Sequence, residues 1–277
     1  MSIAATTSVL QRNNITISGN DSTGRAILFL HGLGTDQNAW HLLAPAFEER
    51  YRVVLMDLVG AGRSDLKAYQ SAKYNSLNGH ADDVLAVLEA LGLYDVVFVG
   101  HSVSAMIGVL AAIQEPRRFA KLVLLSPSPR FINEQDYNGG FEQKDVRDLL
   151  AVMESSHRAW AQAMAPLTAG ADNADLIMQL TNSFFQTNPS IAQHFANVTF
   201  YADHRADLGF LSTPALILQN AEDVIVPLAV STYLHQNLPG SELAIIDTQG
   251  HCAHLTAPGQ TLRAIERFLS MAPEALY

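Results

Sequence analysis

"VVFVGHSVSAMIGVLAAI", Val96 to Ile113, opens as four strand-forming residues and closes as an apolar helical run, with a histidine and two serines at the junction. Ser102 therefore sits where a buried strand turns sharply into a helix. The residues two before and two after it, Gly100 and Ser104, are small. A nucleophile elbow needs small residues there, because its serine adopts a strained backbone conformation while strand and helix pass close together. The usual pattern is G-x-S-x-G, and here the fifth residue is serine. The plainer alternative is a polar turn in which Ser102 caps the helix.

Outward from this junction, from Ala26 to about Pro127, short apolar runs alternate with helical stretches: "AILFL", a helix near "WHLLAPAFEE", "RVVLMD", "HADDVLAVLEALG", "VVFVG", "SAMIGVLAAIQ" and "KLVLLS". That is the βαβα pattern of an α/β fold, a mostly parallel sheet with helices on both faces. Between about Ser128 and Arg205 the period becomes helical. Val146, Leu149, Leu150 and Met153 share one face, Trp160, Met164 and Leu167 the next, and Ile177, Leu180 and Phe184 a third. Asn188 and Pro189 form an N-cap and N1 pair that opens a fourth helix bearing Ile191, Phe195 and Val198. The alternation then resumes with "PALILQ", "PLAVSTYLHQNL", "ELAIID" and "TLRAIERFLSMA". The expected organisation is one α/β core in two parts, 1–127 and 206–277, interrupted by a helical cap at 128–205 over the carboxyl ends of the strands.

A serine hydroxyl becomes nucleophilic when a base takes its proton and an acid orients that base. In α/β hydrolases the chain order is Ser, then Asp or Glu, then His. After the strand "ALILQN" comes "AEDVIVP", which puts Asp223 at a strand's carboxyl end, with Glu222 and Asp247 as competing acids. "ELAIIDTQGHCAHL" puts His251 after a strand and behind a glycine, with His254 as its rival in or at the start of the next helix. The oxyanion donors are expected to be the backbone N–H groups of Val103, just after Ser102, and of Leu33 in "LFLHGLGTD". "DLVGAGRSD" invites a dinucleotide reading, but it lacks the third glycine of G-x-G-x-x-G and any phosphate-loop lysine.

Composition narrows the function classes further. The 277 residues are 48% hydrophobic and only 16% charged, enough for a sizeable core, and the net charge of −10 offers no basic footprint for nucleic acid or an anionic membrane. No apolar run is long enough for a membrane span and no leader pattern opens the chain, so a cytoplasmic location is expected. Cys252 is the single cysteine, which excludes an internal disulfide and a multi-cysteine zinc site; beside His251 it reads as a small buried hydrophobe.

With these residues in place, "HGLGTDQNAW", "YRVVLMDLVGAGRSD", "GHSVSAMIG", "KLVLLSPSPRF", "GGFEQ" and "GHCAHL" resemble the α/β-hydrolase subgroup that holds the bacterial stress-regulator (RsbQ-like) hydrolases and the plant karrikin and strigolactone receptors. "FYADHRADL", "LILQNAEDVI" and "GHCAHL" are closer to the bacterial branch, and "GHSVSA" to the plant one. The resemblance implies an α/β-hydrolase fold with a four-helix V-shaped lid, a Ser102, Asp223 and His251 triad, and no cofactor or metal. It implies an apolar pocket for a small hydrophobic ligand at Leu33, Phe131, Phe141, Leu149, Trp160, Phe200 and Ile225, with His101 beside the serine. Met164 stands where the plant receptors commonly carry an aromatic residue. For the bacterial branch it implies a signalling role through a PAS-containing, metal-dependent protein phosphatase.

Overall fold

The computed structural model describes residues 3–170 and 173–271. Among the described residues seven strands form one sheet: β1 (Thr16–Gly19), β2 (Ala26–Leu30), β3 (Arg52–Met56), β4 (Val96–His101), β5 (Phe119–Leu125), β6 (Ala215–Glu222) and β7 (Ser241–Gln249), in the spatial order β1-β3-β2-β4-β5-β6-β7. β1 is antiparallel to β3, and every other pairing is parallel. All residues of β2 and β4 are buried, as expected of central strands covered on both faces. Alternate residues serve opposite cores. Leu28 and Leu30 pack with Phe98 and Met106 on one face, while Ile27 and Phe29 pack with Trp40, Phe47 and Phe268 on the other.

The helices are α1 (Ile3–Arg12), α2 (Asn78–Ala90), α3 (Val103–Gln114), α4 (Gln143–Ser155), α5 (His157–Ala169), α6 (Ala174–Gln186), α7 (Pro189–Tyr201), α8 (Leu228–Asn237), α9 (Ala253–Thr256) and α10 (Pro258–Ser270). Among the described residues no helix is long and apolar enough to cross a membrane. Strand β2 lies between β3 and β4, so the chain leaves β2 towards one side of the sheet and leaves β4 towards the other. Such a reversal opens a crevice at the carboxyl ends of the two strands. The loop 31–36 and the turn at Ser102 emerge there side by side.

Between β5 and β6 run the four helices α4 to α7, each with its own start signal. Glu142 and Asp145 form a capping box on α4, while Ser156, Asn173 and Asn188 each accept a backbone N–H as N-caps of α5, α6 and α7, with Pro189 at the first position of α7. Their inner faces carry Val146, Leu150, Met153, Trp160, Met164, Leu180, Phe184 and Phe195, all buried. Leu167 is exposed, because the buried face of α5 runs through Trp160, Ala161, Met164, Ala165 and Thr168 instead.

One further expectation needs correction, and one strand lies outside the expected set. The helix near "WHLLAPAFEE" is instead two single 3-10 turns, Gln37–Trp40 and Ala44–Phe47. Asp36 caps the first turn and Pro45, which has no N–H to donate, opens the second, so no continuous α-helical ladder can form. Strand β1 was unforeseen, because "TISG" is short, mostly exposed and carries a single apolar residue, Ile17.

Candidate active site

The backbone at the β4–α3 junction has the conformation that the small flanking residues permit. Ser102 has φ 56° and ψ −124°, a region that side chains rarely enter. A Cβ on Gly100 would lie 2.6 Å from the Ser104 carbonyl oxygen, so strand and helix could not approach as they do. The Ser102 side chain makes no cap bond to α3, which removes the plain capping alternative. Ser104 fills the place of the usual second glycine without strain. Its hydroxyl donates to the His31 carbonyl and so ties the start of α3 to the end of β2.

The serine's partner is His251, whose Nε2 lies 2.8 Å from Ser102 Oγ. On the far side of the ring, His251 Nδ1 lies 2.7 Å from Asp223 Oδ2. The other carboxylate oxygen, Oδ1, accepts the N–H groups of Ile225 and Val226 at 2.9 and 3.0 Å. That fixes the carboxylate with one oxygen aimed at the ring. The imidazole accordingly donates from Nδ1 and keeps Nε2 as an acceptor for the serine proton. Of the rivals, Glu222 and Asp247 are exposed and make no bond to the histidine, and His254 packs at a tilt against Trp40 and His101 instead of meeting the serine.

Contacts to its backbone hold the His251 loop, among them the Gly250 N–H donating to Glu222 O at 2.9 Å. The N–H of His251 donates to Thr168 O at 2.8 Å, its carbonyl accepts from His101 Nε2 at 2.9 Å, and the Gly250 carbonyl accepts from Asn220 Nδ2 at 2.7 Å. Burial holds the His101 imidazole well below the usual histidine range, with the neighbouring His254 and His251 adding to the effect. Burial, helped by His251 and His41, lowers His254 to about 3. Both rings are therefore neutral near pH 7 and place no positive charge beside His251.

Val103 opens α3 and Leu33 lies in the loop after β2, and among the described residues neither backbone N–H meets a protein acceptor. Two free donors beside Ser102 are what an oxyanion requires. The loop's glycines are spatial necessities. A Cβ on Gly32 would lie 2.7 Å from His101 Nδ1, and Gly34, at φ 78°, leaves room for the Phe184 ring of α6.

Ser102 and His251 open into a hollow lined also by Leu33, His101, Phe131, Trp160, Phe200 and Ile225, all named from the sequence, and by Thr35, Met164, Thr168, Phe184, Thr199 and Cys252. It encloses about 500 Å³ of space between atoms, partly open to solvent. Phe141 and Leu149 do not line it. Phe141 packs edge-on against Phe200 at 5.7 Å, one layer back, and Leu149 is a half-buried residue of α4 against the core. The threonines escaped the sequence reading because an apolar pocket draws attention to apolar stripes. Their signal was a polar residue on the buried side of an amphipathic helix, as Thr199 is between Phe195 and Phe200.

His101, Cys252 and His254 bring one potential metal-ligand atom each within 4.8 Å of one another. The His101 Nε2–H is already engaged by the His251 carbonyl, and burial raises the Cys252 thiol, keeping it protonated. The trio forms a neutral packed floor beneath the histidine. The glycine-rich "DLVGAGRSD" wraps a carboxylate instead of a phosphate: Asp57 accepts the N–H groups of Gln37 and Arg63 and the amide of Asn14.

Over residues 25–258 the chain matches the family described as alpha/beta hydrolase fold. It is 40% identical to a strigolactone esterase from Arabidopsis thaliana, covering 94% of this chain and 97% of that one. It is 38% identical to a karrikin insensitive 2 receptor from Petunia hybrida, again covering 94% and 97%. Among solved structures, a hydrolase from Oleispira antarctica superposes with a TM-score of 0.93 at 39% identity, over 96% of this chain and 98% of that one. Matches of this extent, on a sheet whose switch point carries the Ser102 turn, establish that the chain belongs to the alpha/beta hydrolase fold family.

Proposed function

We propose that this chain is a serine hydrolase of small, largely apolar esters or lactones. The observation that carries the reading is His251, hydrogen-bonded to Ser102 through one ring nitrogen and to Asp223 through the other. In this mechanism Nε2 takes the Ser102 proton as Oγ attacks the substrate's carbonyl carbon, and the N–H groups of Leu33 and Val103 receive the charge that develops on the carbonyl oxygen. Asp223 stabilises the imidazolium. His251 then passes the proton to the leaving oxygen, an acyl ester remains on Ser102, and water deprotonated by His251 releases the acid. The apolar lining supports an uncharged ligand.

In this reading residues 128–205 act as a lid on a core made of 1–127 and 206–277, in the cytoplasm. The names of the relatives, an esterase and a receptor, support a ligand that is both bound and cleaved in the service of a signal. A bacterial stress-response role through a PAS-containing phosphatase extends the reading and rests on the RsbQ-like stretches of sequence alone. The test is p-nitrophenyl acetate hydrolysis followed by mass spectrometry of the protein. Wild type should accumulate an acetyl group on Ser102 and Ser102→Ala should lose about three orders of magnitude in rate. Equal turnover by the two refutes the reading.

A receptor with slow turnover is the second reading. It is favoured by the burial of Ser102, only 8% exposed, beneath side chains of α5, α6 and α7. Multiple-turnover kinetics separates the two, since a receptor stalls at about one product per chain.

A further inference from the structure

Thr199 of α7 lines the hollow, is 3% exposed, and among the described residues its hydroxyl has no hydrogen-bond partner. In a helix a threonine hydroxyl in the right rotamer can reach the carbonyl four residues back. Thr168, Thr181, Thr232, Thr256 and Thr261 all make that bond in this protein. Thr199 does not use it. The other hydroxyls of the lining are engaged, Thr35 with Gly32 O, Thr168 with Met164 O and Ser102 with His251. A buried unpartnered hydroxyl carries a desolvation cost, and Thr199 Oγ1 carries it on the wall of the hollow, where a bound molecule can complete it.

We infer that Thr199 is a specificity-determining residue that hydrogen-bonds an acceptor oxygen on the part of the ligand remote from the scissile carbonyl. This rests on the hydrolase reading above. The scissile oxygen is served by the N–H groups of Leu33 and Val103, on the core side, whereas Thr199 comes from α7 and addresses another part of the molecule. The indole N–H of Trp160, on the same lining, is also unpartnered among the described residues and can only donate. A carbonyl or ether oxygen suits both groups, and a saturated hydrocarbon chain suits neither. The ligand class is thus an ester or lactone with a second, non-reacting oxygen set in an apolar body.

The test compares p-nitrophenyl 4-oxopentanoate with the pentanoate, and the 5-oxohexanoate with the hexanoate, on wild type, Thr199→Val and Thr199→Ser. The oxo-to-plain ratio of kcat/KM in at least one pair should fall about 3- to 10-fold in Thr199→Val and stay near wild type in Thr199→Ser. Thr199→Val should also melt at or above wild type, because it removes an unpaired buried group. An unchanged ratio in both pairs, or an equal fall in both variants, overturns the inference. The corresponding methyl esters are titrated onto Ser102→Ala, with and without Thr199→Val, by tryptophan fluorescence. An oxygen preference in binding that depends on Thr199, without any ester turnover by wild type, would refute the hydrolase reading and sustain this one.

Discussion

The backbone N–H of His251 donates to the carbonyl of Thr168, 2.8 Å away, so the last turn of α5 is bonded to the loop that presents the imidazole to Ser102. Two glycines make this approach possible. Gly250 has φ 82°, and a Cβ there would lie 2.6 to 2.7 Å from the backbone of Ala169, Gly170 and Thr168. Gly170, also at φ 82°, faces Gln249 with more room, at 3.2 Å. Helix α5 and the His251 loop therefore cannot shift independently.

The first prediction follows from that contact. Gly250→Ala must move backbone, not a flexible side-chain end, and displacement of a reacting group by about 1 Å can cost roughly 100-fold in rate. We expect a fall of that order in kcat for p-nitrophenyl acetate, and a milder one for Gly170→Ala. Equal, near-wild-type rates for both variants would show that the contact does not position His251.

Asp223→Asn should keep one side-chain oxygen for the N–H groups of Ile225 and Val226 while turning an N–H towards the imidazole. That favours the wrong tautomer, with Nδ1 as acceptor and Nε2 protonated against the serine. The expected loss in kcat is roughly 10³- to 10⁴-fold. Glu222→Gln and Asp247→Asn, at exposed positions away from the ring, should stay within about twofold of wild type. A larger loss at Asp247 than at Asp223 would reassign the acid.

How much of this was legible in the sequence varied with how local the cause was. The strands β2 and β4 announce themselves because burial on both faces demands an unbroken apolar run, and Asp223 and His251 stand where such runs end. The pocket was legible only in part. Phe131 and Phe141 lie ten residues apart in one loop, and only the tertiary packing of Phe200 between Phe141 and the hollow decides which of them meets a ligand. Thr199 was hidden for a different reason: its meaning lies in a hydrogen bond it does not make, and no spacing rule reports that.

Ser104 also acquired its meaning only in three dimensions. Its hydroxyl bond to His31 O joins the elbow helix to the strand that leads into the Leu33 loop. Ser104→Gly would restore the commoner pattern, yet it removes that bond and adds glycine's backbone entropy in a helix. We expect a loss of about 1–2 kcal/mol in urea unfolding, with Ser104→Ala losing about 1 kcal/mol. Greater stability in Ser104→Gly than in wild type would show that the bond contributes nothing.

The last prediction concerns acid stability and centres on His80, in α2 and remote from Ser102. The ring is 1% exposed, stacks on Tyr74 at 4.5 Å, meets Phe195 edge-on at 4.9 Å, and among the described residues neither nitrogen has a partner. Burial, with smaller contributions from the charges of Lys73, His31 and His194, lowers its pKa to about 3, against 6.5 for the ordinary group. Below 6.5 the unfolded chain takes up a proton that the folded chain refuses until about 3, so stability falls as pH drops through that window and is fully present above it. The slope is about 1.4 kcal/mol per pH unit for one such group, which makes the loss from His80 alone about 1 kcal/mol at roughly pH 5.5. His80→Phe keeps an aromatic ring and deletes the titration, and His80→Leu deletes the titration with a smaller apolar side chain should the larger ring overpack. Each should shrink the difference in unfolding free energy between roughly pH 7.5 and 5.5 by about 1 kcal/mol, whatever it does to stability at the higher pH. A pH dependence identical to wild type in both variants would mean that His80 is already free to take a proton in the folded state.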